Sequence, residues 1–183
     1  MRHTTADFEG MRKAGHLAAS TLDKLVDKVK PGVSTAELDD FAFDFIDKQG
    51  GLIAPLFYKG YPKSICTSIN HVICHGIPSN RVLENGDILN IDVTVIIDGW
   101  HGDTSRMFPV GKINAKAQKL IDCTFDAMHE GINAAKPNAC LGDIGSAIQT
   151  YAENQNYSVV RDFCGHGLGI VFHQFPNILH FGK

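Results

Sequence analysis

The feature that most constrains the fold of this chain is an Asp-Gly pair, Asp98-Gly99, placed between two runs of β-branched and aromatic residues. Such a pair between strand-like runs predicts a hairpin with a two-residue turn. In that register Thr94 lies opposite Asp103, and Asp92 lies opposite Ser105. Because directly opposed residues and alternate residues share a face, Asp92 and Asp103 project from the same side of the hairpin.

Two carboxylates on one face of a hairpin favour the binding of a cation or a proton between them. At a diagonal separation of roughly 7 Å and an effective dielectric of about 20, two ionised carboxylates repel by about 2 kcal/mol. A bound cation or a shared proton removes that repulsion. The hairpin therefore predicts a divalent metal site at Asp92 and Asp103, the alternative being a solvated face with two unrelated acids.

Composition excludes several classes of function. The 183 residues are 44% hydrophobic and 20% charged, which predicts one globular domain over residues 1–183. A net charge of -3 and a pI near 6.3 do not indicate nucleic acid or a membrane surface as the primary partner. The sequence has no leader-like or membrane-spanning apolar run. Five cysteines without a Cys-x-x-Cys pair argue against a disulfide framework, so we expect a cytoplasmic protein.

The hydrophobic spacing predicts two similar halves. A shift of 106 residues places Lys30-Pro31 on Lys136-Pro137 and Glu37-Leu38 on Asp143-Ile144, which indicates an internal repeat. The predicted class is α/β (α+β), with a first half over about 7–110 and a second half over about 111–183. The same shift moves the aspartate pair past the last residue, so the second half is expected to be incomplete. The predicted helices lie at 7–29, 34–50, 115–134 and 143–155, and the predicted strands at 65–70, 88–97 and 100–108. A capping-box pattern at Ser34 and Glu37 opens the second helix. The apolar residues at helical spacing in the third helix are Leu120, Ile121, Phe125, Met128 and Ile132.

Glycine flanks two histidines, in the segments Cys74-His75-Gly76 and Gly165-His166-Gly167. Flanking glycines allow a ligand or a neighbouring backbone to approach closely. Beside an aspartate pair, His75, His166 and His173 are therefore candidate site residues, the alternative being structural loop histidines. Surface or helix-face positions are expected for His3, His16 and His129.

Several segments taken together closely resemble type I methionine aminopeptidase. The resemblance extends from about Met11 to Phe181, and it implies the pita-bread fold, in which two related halves enclose a dinuclear metal centre. It also implies removal of initiator methionine from a peptide or nascent-chain N-terminus, with the ribosome as a further implied partner. The segments are Tyr61–Asn70, Cys74–Pro78, Asn90–Thr94, His101–Ser105 and Gly165–Gly167.

The same resemblance implies a role for each matching residue. Asp92, Asp103 and His166 match metal ligands, and His75 and His173 match the catalytic histidines that contact substrate. The implied cofactor is a divalent metal, Co, Mn, Fe or Zn, with two ions per complete site; ligand type does not decide among these metals. The remaining substrate-binding positions are Tyr58, Tyr61, Cys66 and Phe172.

The chain also departs from the family pattern. The resemblance implies two further glutamate ligands, and residues 154–183 contain no glutamate. Gln174-Phe175 replaces the acidic pair that usually follows the His173 position, and His71 replaces a glutamate. Two carboxylates and a neutral histidine balance the charge of one divalent cation, so one tightly bound ion is expected in this chain.

Two classes of function fit these observations. The first is a methionine aminopeptidase, either as a fragment or as a chain completed by a partner. The second is a catalytically impaired relative that binds peptide N-termini or a ribosomal partner. A proline-specific aminopeptidase is a weaker alternative, because the Cys66 to His75 motif and the short stretch before the first helix argue against it.

Overall fold

The computed structural model describes residues 3–182, which contain four α-helices and six β-strands. None of the helices in this range combines the length and apolar composition that crossing a bilayer requires. The chain forms two compact units, one with the residues up to Asn114 plus Leu168–Phe172, the other with Ala115–Gly167 and the residues from His173 onward.

The helices are α1 (Thr5–Leu25), α2 (Thr35–Lys48), α3 (Ala115–Ala134) and α4 (Leu141–Asn154). The strands are β1 (Leu52–Ile53), β2 (Cys66–Ile69), β3 (Ile88–Ile97), β4 (Trp100–Pro109), β5 (Gly165–Gly167) and β6 (Gln174–Ile178).

Strand β3 is the centre of an antiparallel sheet in the first unit. Strand β4 pairs with it over its whole length, while β1 and β2 pair with its other edge. The turn residues Asp98 and Gly99 have φ angles of 52° and 82°, the left-handed conformation that a two-residue hairpin turn requires. The predicted hairpin and its register are confirmed.

Alternation along β3 separates the core from the face that carries the aspartates. Ile91, Val93 and Val95 are fully buried in a core shared with α1 and α2. Asp92 and Thr94 therefore point to the opposite side of the sheet. The core residues of α1 and α2 include Ala14, Leu17, Ala18, Leu22, Leu25, Leu38, Ala42 and Ile46.

Gly102 determines how closely β4 approaches α1. A Cβ at this position would collide with the main chain of Ala14 and Gly15. Because backbone atoms of a packed helix cannot move aside cheaply, we expect Gly102→Ala to lower the free energy of unfolding by about 1–3 kcal/mol. Urea unfolding followed by the fluorescence of Trp100, the only tryptophan, measures this loss.

Gly15→Ala is the matched control for this variant. No heavy atom lies within 4 Å of a Cβ built at Gly15, which is part of α1. Alanine is favoured over glycine inside a helix by about 1 kcal/mol, so the control should be more stable than the parent. Equal unfolding midpoints for Gly102→Ala and the parent chain would contradict the close contact.

The second unit repeats the plan of a helix pair with antiparallel strands. Helix α4 corresponds to α2 shifted by 106 residues at both ends. Their first turns are also alike, since Ser34 N donates to Glu37 at 2.8 Å and Cys140 N donates to Asp143 at 2.8 Å. These bounds agree with the internal repeat seen in the sequence.

The apolar residues that recur at helical spacing along α3 are not on the side that packs against α4. A Cβ on Gly131 would collide with the Ile148 side chain of α4, so the two helices meet along small residues. The buried positions of α3 are Cys123, Ala127 and Gly131. The exposed fraction of the apolar residues at helical spacing is between 39% and 59% at Leu120, Phe125, Met128 and Ile132.

Other differences from the sequence prediction are local. Helix α1 ends at Leu25 rather than near residue 29. Strands β1 and β6 were not predicted, and the glycine-rich segment around His166, expected to be a loop, forms strand β5 paired with β6. Strands β1 and β5 are short, with 2 and 3 residues, and so contain too few positions to show an alternating pattern. Strand β6 contains a proline, which argues against a strand in the sequence.

Candidate metal centre

The two aspartates lie together on the sheet face that points away from α1 and α2. Asp92 is paired with Ser105, and Thr94 is paired with Asp103. Thr94 Oγ1 donates a hydrogen bond of 3.0 Å to Asp103 Oδ1, which orients that carboxylate. Burial, followed by the charge of Asp103 and a hydrogen bond with it, raises the pKa of Asp92 to about 7. The pair therefore holds a proton near neutral pH in a position where a cation can replace it.

A thiol and a phenol lie beside Asp92. Cys66 is the partner of Asp92 across β2 and β3. Burial is the main cause that raises the pKa of the Cys66 thiol to about 11, so this group is neutral and is no thiolate ligand. Tyr61 Oη lies 3.0 Å from the carbonyl oxygens of both Ile65 and Gly76, and its single hydrogen is shared between these two acceptors. These contacts bring together Tyr61 and Cys66, both predicted to line the substrate pocket.

The other two predicted pocket residues also touch each other. The ring centroids of Tyr58 and Phe172 are 4.9 Å apart. Phe172 in turn stacks on His101, with 5.6 Å between centroids and an angle of 21° between the rings. The main-chain N and the Nδ1 of His101 donate to the carbonyl oxygen of Gly169 at 2.8 and 3.0 Å, which holds the segment before Phe172.

Sequence reasoning missed His101. It lies two residues before Asp103 on β4 and therefore faces the same side of the sheet. The face on which His101 lies could have been predicted from the hairpin register alone. Its hydrogen bond to the carbonyl oxygen of Gly169 could not, because every residue has a main-chain carbonyl and the sequence does not mark which one is the acceptor.

His166 and His173 lie in the second unit. His166 is on β5 and His173 directly precedes β6, with 4.3 Å between the ring centroids. His166 Nδ1 donates to the carbonyl oxygen of Gly167 at 3.0 Å, so in the neutral ring the lone pair is on Nε2. A Cβ on Gly167 would collide with the main chain of β6, so the glycine allows the two strands to pair.

His75 lies in the loop between β2 and β3. Its φ angle is 56°, a left-handed conformation, and its side chain is exposed. The next residue, Gly76, ties the loop to β2, since Thr67 N donates to its carbonyl oxygen at 2.7 Å. The loop that presents His75 is thus fixed to the strand that carries Cys66.

The donor atoms of the aspartate pair suit a divalent cation. Both donors are carboxylate oxygens, and their mutual repulsion disappears when a cation binds between them. Within residues 3–182, no three His, Cys, Asp or Glu side chains are grouped closely enough to hold a metal ion. The aspartates therefore offer two carboxylate donors in the first unit, and the three-ligand site with His166 stays a prediction.

Known proteins resemble this chain over nearly its whole length. Residues 9–183 match the model of metallopeptidase family M24. A methionine aminopeptidase of Rickettsia prowazekii is 60% identical over 99% of this chain and 70% of that protein. A crystal structure of methionine aminopeptidase from that organism aligns with a TM-score of 0.99, over 100% of this chain and 74% of that chain.

More distant relatives give the same result. Methionine aminopeptidase A of Synechocystis is 54% identical over 97% of this chain and 70% of that protein. The crystal structure of methionine aminopeptidase from Thermotoga maritima has a TM-score of 0.96 at 30% identity, over 99% of this chain and 73% of that chain. The backbone agreement therefore persists when most side chains differ.

Proposed function

The chain belongs to metallopeptidase family M24 and has the pita-bread fold, and we propose that it is a metal-dependent aminopeptidase that removes N-terminal methionine from peptides and nascent proteins. The observation that carries this proposal is the half-buried pair Asp92 and Asp103, which share a hydrogen bond on one sheet face. The relatives named methionine aminopeptidase support the choice of substrate.

We propose that Asp92, Asp103 and His166 are the metal ligands. A bound divalent ion would polarise the scissile carbonyl and lower the pKa of a water molecule. Thr94 keeps the Asp103 carboxylate oriented, and Asp92 would give up the proton it holds near neutral pH in order to bind the ion. Carboxylate and imidazole ligands suit Mn, Fe, Co and Zn alike.

We propose that the contacts described around Tyr58 and Cys66 form the methionine pocket. Tyr58 and Phe172 provide aromatic surface, and Cys66 adds a neutral, polarisable thiol. Such a lining suits an unbranched thioether side chain. His75 and His173 are the proposed substrate contacts, because an imidazole can donate to a scissile carbonyl or accept a proton from an amine.

Calorimetric titration with Mn²⁺ tests the proposed ligands. The charge of two carboxylates and one neutral histidine predicts one tight site per chain. Asp103→Asn should weaken Mn²⁺ binding by at least about 10²-fold, since removal of even an outer-shell partner of a metal ligand costs about 10- to 100-fold. Two tight sites, or an unchanged affinity in Asp103→Asn, would contradict the ligand assignment.

Asp98→Asn is the matched control for this titration. It makes the same chemical change on the same hairpin, but at an exposed turn residue whose side chain lies 3.7 Å from Lys13 Nζ. Its Mn²⁺ affinity should equal that of the parent. Release of methionine from Met-Ala-Ser by the Mn²⁺-loaded chain then tests the activity, and peptide binding without any release would support the non-catalytic alternative.

A further inference from the structure

Asp39 is a buried carboxylate that is neither a proposed metal ligand nor a proposed pocket residue. It lies on α2 and is 3% exposed. Its Oδ1 accepts from the main-chain N–H groups of Ser64 and Ile65 at 2.8 and 3.0 Å. Its Oδ2 lies 3.4 Å from Lys63 Nζ. Three consecutive residues thus converge on one side chain.

The segment held by Asp39 leads directly into the proposed pocket. Ile65 is bonded to Asp39 through its N–H, and its carbonyl oxygen accepts from Tyr61 Oη at 3.0 Å. The next residue, Cys66, begins β2 and pairs with Asp92. The position of both Tyr61 and Cys66 relative to α2 therefore depends on one carboxylate.

We infer that Asp39 is a positioning residue that sets the specificity for methionine by holding Tyr61 and Cys66 in place. This inference rests on the proposed function. A buried N–H without an acceptor is costly, so loss of the carboxylate forces Ser64 and Ile65 to move toward other partners. A displacement of about 1 Å at a binding site can cost about 10²-fold in function, so such a movement would be measurable.

Binding of L-methionine and L-leucine to the full 183-residue chain, measured by NMR titration, tests this role. Asp39→Ala should weaken methionine binding at least about 10-fold and reduce the preference for methionine over leucine. Asp39→Asn keeps the Oδ1 acceptor for both N–H groups and should stay within about 3-fold of the parent, because a neutral hydrogen bond retains part of the strength of a charged one. Asp40→Ala, at the exposed neighbouring position, should change neither affinity.

Leu22→Ala separates positioning from stability. Leu22 is a core residue of α1 with 1% exposure, and its side chain makes no hydrogen bond to residues 63–65. At a temperature where circular dichroism shows every variant folded, Leu22→Ala should bind methionine as the parent does. Unchanged methionine binding in Asp39→Ala, or the same loss in Leu22→Ala, would overturn the inference. A parent chain that binds neither amino acid would overturn the proposed function, and the inference with it.

Discussion

The 183-residue chain loaded with Mn²⁺ should release methionine from Met-Ala-Ser about 10²- to 10⁴-fold more slowly than a chimera that continues with the residues of the Rickettsia prowazekii enzyme outside the match. Loss of a general acid or base alone typically costs this much. The match covers 70% of that enzyme, and residues 154–183 of this chain contain no glutamate. The two glutamate ligands that the family resemblance implies would therefore come from the added residues.

Charge explains why the added residues should matter. Asp92, Asp103 and a neutral His166 balance one divalent ion, whereas two more carboxylates balance a second. A second ion supplies further stabilisation of the charge that develops on the scissile carbonyl oxygen. The chimera should accordingly show two tight Mn²⁺ sites by calorimetry.

An inactive variant excludes contamination by the enzyme of the expression host. The Asp103→Asn chimera, produced and purified in parallel, should show no release above the buffer blank. Equal rates for the chain and the active chimera would mean that another residue of this chain, such as His71 or Glu153, supplies the missing carboxylate or base. In that case our charge count would be wrong.

Asp92→Asn should stabilise the chain without metal and weaken its binding of metal. The pKa of Asp92 is raised to about 7 by burial and by Asp103. Each unit of pKa difference between the folded and unfolded states corresponds to about 1.4 kcal/mol. In EDTA at pH 8.5 we therefore expect the variant to gain about 2–4 kcal/mol in free energy of unfolding.

The pH dependence follows from the direction of the shift. Below about pH 4 this carboxyl group is protonated in both states, so its ionisation contributes no difference. As pH rises from about 4 to 7, Asp92 ionises in the unfolded chain but stays largely protonated in the folded chain. The free energy of unfolding of the parent therefore falls over this range. Above pH 7 the loss is complete. The difference in free energy of unfolding between Asp92→Asn and the parent should accordingly develop between about pH 4 and pH 7 and stay constant at higher pH.

Urea unfolding at several pH values, followed by Trp100 fluorescence, measures this difference. With Mn²⁺ at about 100 times its dissociation constant, the parent should gain about 2.7 kcal/mol and the variant much less. Asp98→Asn, at the exposed hairpin turn, should follow the parent in both conditions. An Asp92→Asn variant that is less stable than the parent in EDTA at pH 8.5 would show that the ionised pair is not a cost to the fold.

Local sequence rules were sufficient for the hairpin and the helix starts. Asp98-Gly99 fixes the turn, and the turn fixes the register that joins Thr94 to Asp103. Ser34 and Glu37 likewise mark the start of α2 through their reciprocal capping bonds. In both cases the interacting groups are close in sequence, so their spacing carries the information.

Contacts with main-chain atoms far along the sequence could not be predicted. Asp39 looks no different from Asp40 or Asp44 in the sequence, although Asp39 alone of the three accepts from Ser64 and Ile65 among the described contacts of residues 3–182. The packing of α3 could not be predicted for a related reason. A helical period marks an apolar face, but the close approach of α4 is decided by the missing side chain of Gly131.

The contact between Gly102 and α1 also has a mechanical consequence for Asp103. Main-chain atoms of Ala14 and Gly15 lie where a Cβ of Gly102 would be, so β4 cannot be displaced toward the helix without compressing a nearly incompressible interior. We therefore expect thermal displacement of the strand to be smallest in the direction of the helix. Since β3 and β4 are bonded along their whole length, they move together. We therefore expect the two carboxylates to keep their mutual distance as the sheet moves, a stiffness made possible by the missing side chain of Gly102.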